Sequence, residues 1–305
     1  MSITGNNVLI AFKQNHDGYL RKVHLALNKK YYTIIFSDDD NLVLSEAEIS
    51  ELRYIENVWI EHEMSDCLNR YNCYKKVKDS SEIECVLQGH PVFNHKIFTY
   101  LSQDATLDDL KNFILNDSVL NLEFFDYLVL SVIGVSDQAK LEIMNNLWDE
   151  AGRGSIQGFH TTQFKKLMLG LGLKYRREMI IENMPWEGLA GINLFSYLSL
   201  YSSNKMKYFG LLAATEMLDP PHYHRLIRGM SRFQQHIKFD TTYYTEHEKI
   251  DVEHANGWLN KVILPELLKR PHKTPEFWLG FYLRLDSAQR YYDKLLELFM
   301  AKQAA

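Results

Sequence analysis

The chain has 305 residues, 46% of them hydrophobic, so it is long enough to bury a substantial core in one large globular domain. Its formal net charge is -5 and it has no block of lysine and arginine, which argues against a nucleic-acid partner. The sequence shows neither a secretory pattern nor an uninterrupted apolar stretch of about 18 residues. We therefore expect a soluble, cytoplasmic protein without a membrane partner.

The cysteines exclude two common kinds of small structural site. Cys67, Cys73 and Cys85 are odd in number and have no CxxC spacing. A zinc ribbon or a disulfide framework is therefore not expected. We expect free thiols in a reducing compartment.

The first 88 residues give mixed signals of secondary structure. Residues 30–36, KYYTIIF, have the aromatic and β-branched composition of a strand, and residues 37–40, SDDD, indicate a turn. Ser45 and Glu48 then form a capping-box pattern, which predicts a helix over residues 45–70. The sequence thus predicts an N-terminal extension over residues 1–88, of mixed α/β character, that covers the rest of the chain or makes a homodimer contact.

From residue 89 onward, apolar residues recur at helical spacing and only short interruptions separate the repeats. The spacing predicts an all-α domain over residues 89–305, and helix ends are expected at Pro220-Pro221 and at residues 270–275 because proline cannot donate within a helix. The predicted helices are 91–102, 106–116, 119–134, 136–151, 160–171, 173–182, 191–202, 204–218, 221–235, 240–263 and 275–302.

The most informative pattern is H-x3-D-x2-H, formed by His247, Asp251 and His254. On a helix these positions lie on one narrow stripe, so their side chains point the same way. Imidazole and carboxylate ligands together suit iron, zinc or manganese. The alternative interpretation is a solvated polar helix face, because the neighbouring residues are charged: Glu246, Glu248, Lys249 and Glu253.

Candidate ligands from other helices stand in unusual surroundings. Glu150 closes one predicted helix and His160 opens the next, and Gly152 and Gly154 just after Glu150 let the chain turn. Glu216 stands alone in an otherwise apolar helix, and Glu123 is a similar acid among apolar neighbours. An ionised carboxylate in such a place is costly unless it is paired or metal-bound.

These residues, in this order, resemble the heme-oxygenase-like diiron oxidases and oxygenases. That family has a Glu, a His about ten residues later, a second Glu in a later helix, and H-x3-D-x2-H about thirty residues after that. The runs NNLWDEAGRG at 145–154, HTTQF at 160–164 and LGLGL at 169–173 look like the family's own. The resemblance covers residues 90–265 and implies a heme-oxygenase-like helical bundle. It also implies six metal ligands: Glu150, His160, Glu216, His247, Asp251 and His254.

An additional glutamate, about 26 residues before the first ligand, distinguishes the N-oxygenating branch of the family. Glu123 lies 27 residues before Glu150, and a one-residue insertion would account for the difference. The resemblance to this branch therefore implies that Glu123 is a seventh metal ligand. It also assigns the catalytic carboxylates to Glu123, Glu150 and Glu216.

The resemblance further implies two Fe(II)/Fe(III) ions, O2 as cosubstrate and an external electron donor. The favoured function is N-oxygenation of a small amine or amino-acid-derived substrate in specialised metabolite biosynthesis. Two alternatives stay open: oxidative C-C cleavage or decarboxylation of an amino acid or fatty acid, and a noncatalytic iron-binding protein. A ferritin-type site is disfavoured because paired Glu-x-x-His motifs are absent. A thiaminase-type hydrolase would need a cysteine within the bundle, and all three precede it.

Overall fold

The structure, a computed structural model, describes residues 10, 12, 14, 16–39 and 42–303. Within these residues every regular element is helical and no strand occurs, which confirms the all-α prediction. The α-helices are α1 Asp17–Ile35, α2 Glu46–Arg70, α3 Ser80–Gly89, α4 Lys96–Gln103, α5 Leu107–Ser131, α6 Asp137–Glu150, α7 His160–Gly170, α8 Arg177–Asn183, α9 Trp186–Leu200, α10 Lys205–Ser231, α11 Thr242–Gly257, α12 Leu264–Lys269 and α13 Thr274–Gln303. No helix in the described part of the chain is long and apolar enough to cross a membrane.

The strand expected over residues 30–36 is wrong, because residues 30–35 form the end of α1. Tyr31 is buried in this helix and its hydroxyl donates a 2.9 Å hydrogen bond to Glu56 on α2. Strand preference reflects how well side chains pack on a half-buried surface. Here the same side chains pack against α2, so the segment is helical. Residues 37–39 lie outside any helix, with the Asp39 N–H donating to Ser37 Oγ at 3.2 Å, and Asp40 lies outside the described residues.

The helix predicted from the capping box is confirmed as α2. Ser45 accepts from the Glu48 backbone N–H, and the Glu48 carboxylate accepts from the Ser45 backbone N–H in return. Buried side chains of α1 and α2, such as Leu20 and Trp59, belong to the same hydrophobic core as Phe281 on α13. The boundary at residue 88 stays a prediction, and the described residues on both sides of it share this core.

Two glycines bring α10 and α13 into direct backbone contact at the centre of the molecule. A Cβ on Gly210 would lie 2.1 Å from the Phe277 carbonyl oxygen, and one on Gly280 would lie 1.8 Å from the Lys207 carbonyl oxygen. Only glycine allows so close a crossing. Further along α10 and α13, Arg284 Nε donates to Thr215 Oγ1 at 2.9 Å. The guanidinium of Arg284 is therefore buried in the core beside α10.

The helix end expected at Pro220-Pro221 is also wrong, since α10 continues through both prolines to Ser231. Each proline removes one backbone donor, which leaves the Glu216 and Met217 carbonyls without their usual partners. The helix persists because residues on both sides are packed: Leu218 is 0% exposed and His222 is 1% exposed. Similarly, the helices predicted over 106–116 and 119–134 are one helix, α5.

Candidate metal centre

Six of the seven predicted ligands converge from four helices into two adjacent groups. All six are buried, with at most 5% of each residue exposed. In each group, one potential ligand atom per residue lies within 4.8 Å of the others. The first group is Glu150, His160 and His247, and the second is Glu216, Asp251 and His254.

One buried stripe of α11 supplies half of these residues. His247 belongs to the first group, whereas Asp251 and His254, one and two turns later, belong to the second. The charged neighbours Lys249 and Glu253 are exposed. The pattern is therefore a buried face that spans both groups, not a solvated one.

A tight turn brings Glu150 and His160 together. Gly152 has φ +61°, and a Cβ there would lie 2.2 Å from the Gly158 carbonyl carbon, so only glycine fits this turn. The chain can then reverse between the end of α6 and the start of α7. As a result, His160 Nδ1 donates to Glu150 Oε2 over 2.8 Å.

In the first group the carboxylate already has two imidazole neighbours. Besides the bond from His160, Glu150 has its Oε1 3.6 Å from His247 Nε2. Burial alone would raise the pKa of Glu150, but the two imidazoles hold it well below its usual range. The two imidazoles thus lie where a cation would be expected beside this carboxylate.

The second group has buried polar atoms without hydrogen-bond partners. His254 Nδ1 lies 3.6 Å from Glu216 Oε2 and 3.7 Å from Asp251 Oδ1. Both Asp251 oxygens, Glu216 Oε1 and His254 Nδ1 are buried without a hydrogen-bond partner. Burial and the charge of Glu216 raise the pKa of Asp251 well above its usual range. Although burial opposes it, the Glu216 carboxylate raises the pKa of His254 to about 9.

Orphaned buried polar atoms are rare in native proteins, and several at one point indicate a missing ligand. Two carboxylates and an imidazole form the donor set that a transition-metal cation prefers. The residues present therefore fit a metal ion in each group, and three protein ligands per ion leave coordination positions open.

The outward nitrogens of the three histidines support the same interpretation. Metal-ligating histidines almost always give their second ring nitrogen to a carboxylate, carbonyl or water, which fixes the ring. Each histidine here has an oxygen near that nitrogen. The pairs are His247 Nδ1 with the Tyr243 carbonyl at 2.7 Å, His254 Nε2 with Asp149 Oδ2 at 3.4 Å, and His160 Nε2 with Glu246 Oε2 at 3.8 Å.

Glu123, the predicted seventh ligand, is not brought to the centre. It is buried on α5, where its Oε1 accepts from Arg177 Nε at 2.5 Å. The next residue, Phe124, lines the cavity beside the two groups. Because one residue turns a helix by about 100°, a cavity-facing Phe124 directs Glu123 elsewhere. The structure thus gives Glu123 an ion pair in place of the expected metal role.

A cavity of about 30 Å³ adjoins both groups and is lined by charged residues that the sequence did not single out. These are Asp117, Asp219 and Arg284. Burial raises the pKa of Asp117 to about 6 and that of Asp219 to about 7. The lone-acid reasoning used for Glu216 could have found Asp219, three residues later. Asp117 fell in a predicted gap between helices, and Arg284 gave no signal.

Comparison with solved structures agrees with this architecture. A CADD-like protein of unknown function from Nostoc punctiforme matches in two crystal structures, at 14% and 17% sequence identity, with TM-scores of 0.55 and 0.54. The matches cover 79% and 77% of this chain and 97% of that protein. At this identity the likeness concerns the fold alone.

Comparison at the level of sequence identifies the family. No curated protein matches the chain. A family model described as iron-containing redox enzyme matches residues 111–289, a segment that contains all six converging residues. The match spans more than half of the chain and includes both candidate metal-binding groups. This protein belongs to the family of iron-containing redox enzymes.

Proposed function

We propose that this protein is a non-heme diiron oxidase or oxygenase that uses O2 to oxidise a small amine or amino-acid-derived substrate. The observation that carries the proposal is the pairing of two buried three-residue groups, the second of which leaves four polar atoms without partners. Family membership supports iron as the metal and redox chemistry as the activity.

In this proposal each group holds one iron ion, and ferrous iron bound there supplies electrons for the reduction of O2. The protein's part is to position and shield. Asp149 and the Tyr243 carbonyl orient the rings of His254 and His247. Phe124 and other aromatic side chains line the cavity and limit the entry of water. An external electron donor, which returns the ions to the ferrous state, is part of the proposal.

The surroundings of Glu123 bear on the type of reaction. The N-oxygenating branch that the sequence resembles has a seventh, carboxylate ligand, and the ion pair of Glu123 with Arg177 leaves a set of six residues at the centre. Six ligands favour the alternative chemistry, oxidative C-C cleavage or decarboxylation. N-oxygenation is the second candidate, and Asp219 favours it, because this further carboxylate lines the cavity together with Glu216.

The proposal is tested by loading the metal-free protein anaerobically with Fe(II) and measuring iron per chain. About two irons per chain, and a change in visible absorbance on mixing with O2, are expected. His254→Ala should bind about one iron, while His236→Ala, which alters an exposed histidine, should bind as the wild type does. Iron well below two per chain in the wild type would disprove the diiron site.

Mass spectrometry of products then separates the reactions. Amines, amino acids and fatty acids are supplied one at a time with O2 and a reductant. A product heavier by one oxygen atom indicates N-oxygenation. Loss of carbon dioxide or of a carbon fragment indicates oxidative cleavage or decarboxylation.

A further inference from the structure

The cavity beside the two ligand groups, here called the metal cavity, adjoins a second lobe of about 40 Å³ between α5, α9 and α13. The residues that line both spaces are Asp117, Leu120, Arg284 and Tyr292. Glu187 and Gly191 of α9 line the second lobe only. The four shared side chains therefore form the boundary between the metal cavity and this lobe.

Buried charges of both signs line the second lobe without pairing with each other. Arg284 is 8% exposed, and its one hydrogen bond to another helix runs from Nε to Thr215. Glu187 is also 8% exposed, and its Oε2 is buried without a hydrogen-bond partner. Asp117 accepts from Asn121 at 2.8 Å. Across the described residues, none of these three charged groups takes part in an ion pair.

Such an arrangement is costly unless a ligand compensates it, since a buried charge without a partner destabilises the protein. A guanidinium recognises a carboxylate through two parallel hydrogen bonds. Buried carboxylates favour an ammonium group. A diamine offers Arg284 no acceptor, and a fatty acid offers Asp117 and Glu187 no charged donor.

We propose that the second lobe binds the ammonium and carboxylate groups of an amino acid, with Arg284 holding the carboxylate and Asp117 and Glu187 holding the ammonium. The rest of the molecule then extends past Leu120 and Tyr292 toward the metal cavity. Each lobe has room for about one or two water molecules. The amino acid therefore displaces these waters and moves the boundary side chains. That the bound molecule is oxidised rests on the proposed function, whereas its binding does not.

Gly191 offers a way to fill the lobe without changing a charge. A Cβ built there meets no heavy atom within 4 Å, so the position is open. Gly191→Val should keep the helix, because glycine is itself unfavourable in a helix interior. Its added methyl groups should occupy space that the ligand needs.

Binding is measured by calorimetry on the full chain, both metal-free and loaded anaerobically with Fe(II). The probes are the twenty proteinogenic L-amino acids, then the amine and the carboxylic acid that share the side chain of the tightest binder, and finally putrescine and laurate. At least one amino acid should bind saturably, with the matched amine and acid at least about tenfold weaker. Equal or tighter binding of putrescine, laurate or either matched probe overturns the proposal.

Variants assign the contacts. Arg284→Lys should weaken binding of the amino acid but leave binding of its matched amine unchanged. Glu187→Gln should weaken binding of the amino acid but leave binding of its matched acid unchanged. Gly191→Val should weaken all of them about tenfold or more. Asp126→Asn, an exposed acid on α5, is the matched control and should change nothing. Wild-type affinity in both Arg284→Lys and Gly191→Val contradicts the assignment.

Iron content separates the two proposals. Two irons per chain without binding of any amino acid refutes this inference and leaves the diiron site standing. Amino-acid binding by a chain that takes up no iron refutes the diiron site and leaves this inference standing.

Discussion

Two buried carboxylates, Asp286 and Asp251, lie in the same core and have opposite surroundings. Asp286 is 5% exposed and accepts from the Tyr71 hydroxyl at 2.7 Å, from Arg70 at 2.9 Å and from His90 at 3.2 Å. Asp251 is 1% exposed, and neither of its oxygens has a hydrogen-bond partner.

The difference appears in their protonation. Burial would raise the pKa of Asp286, but hydrogen bonds from His90 and Tyr71 and the charge of Arg70 lower it. At Asp251 burial and the charge of Glu216 act together and raise the pKa. A buried carboxylate whose oxygens have hydrogen-bond partners stabilises the fold. One without such partners keeps its oxygens available for a cation at a cost in stability. The comparison distinguishes a structural polar cluster from a functional one.

The largest effect is expected from Asp251→Asn on iron binding. Iron affinity should fall by well over about a hundredfold, because loss of an outer partner alone costs about 10–100-fold. The metal-free variant should be more stable than the wild type by about 1 kcal/mol, since the amide removes repulsion with Glu216. Metal analysis and chemical denaturation measure the two quantities. A variant that binds iron normally, or that unfolds more easily, would show that Asp251 does not differ from Asp286 in this way.

Asp286→Asn should have the opposite profile. It removes the buried charged acceptor that Arg70, Tyr71 and His90 share, so the free energy of unfolding should fall by about 2 kcal/mol. Iron per chain should not change. Asp66→Asn is the matched control, because Asp66 also pairs with Arg70 but is half exposed, and it should cost less than about 1 kcal/mol. Equal losses in the two variants would contradict a special role for Asp286.

The metal-free protein should lose stability as pH rises above neutrality. The raised pKa of His254, about 9, means that the folded metal-free protein binds a proton more tightly than the unfolded chain does. This stabilisation is complete below the ordinary histidine pKa of about 6.5 and is lost as pH rises through about 9. Asp251 acts in the same direction. Asp286, with a lowered pKa, changes stability only in acid.

Thermal unfolding with a chelator present, from pH 6 to pH 9.5, should therefore show a loss on the order of 2 kcal/mol. His254→Gln should flatten this dependence. Stability that rises over the interval in the wild type would be the contrary result.

Asp149→Asn tests the partners behind the ligands. Asp149 lies 3.4 Å from the outward nitrogen of His254, so the amide should weaken iron binding about tenfold. Stability should change little, because Arg153, the ion-pair partner of Asp149, is largely exposed. Anaerobic Fe(II) titration gives the affinity, and an unchanged value would mean that Asp149 does not orient the ring.

The smallest effect on iron is expected from Glu123→Gln. If Glu123 serves Arg177 as the structure places it, iron per chain and iron affinity stay at the wild-type level while the protein loses stability. Loss of one iron in this variant would restore Glu123 as a ligand. The same measurement therefore decides between six and seven ligands.

Local sequence was sufficient for the parts of the site that lie within one or two turns of helix. The H-x3-D-x2-H stripe follows from helical periodicity, and the reversal between Glu150 and His160 follows from the intervening glycines. Capping residues likewise located the start of α2. In each case the interacting residues are neighbours along the chain, so their spacing fixes their geometry.

The errors occurred where distant packing decides the outcome. Residues 30–36 are helical because Tyr31 packs against α2, and α10 passes through Pro220 and Pro221 because both sides of it are buried. Glu123 as a seventh ligand stays a prediction: it adjoins Phe124, which lines the cavity, and sequence spacing alone does not resolve which of the two faces the cavity.

The sequence by itself therefore determined the all-α class and the six residues with the right chemistry for a metal. The tertiary structure decided that these six meet as two groups, that Glu123 pairs with Arg177, and that Asp117, Glu187 and Arg284 surround one lobe. The physical reason is that a helix fixes the relative directions of its own side chains, whereas contacts between helices depend on how the whole core packs.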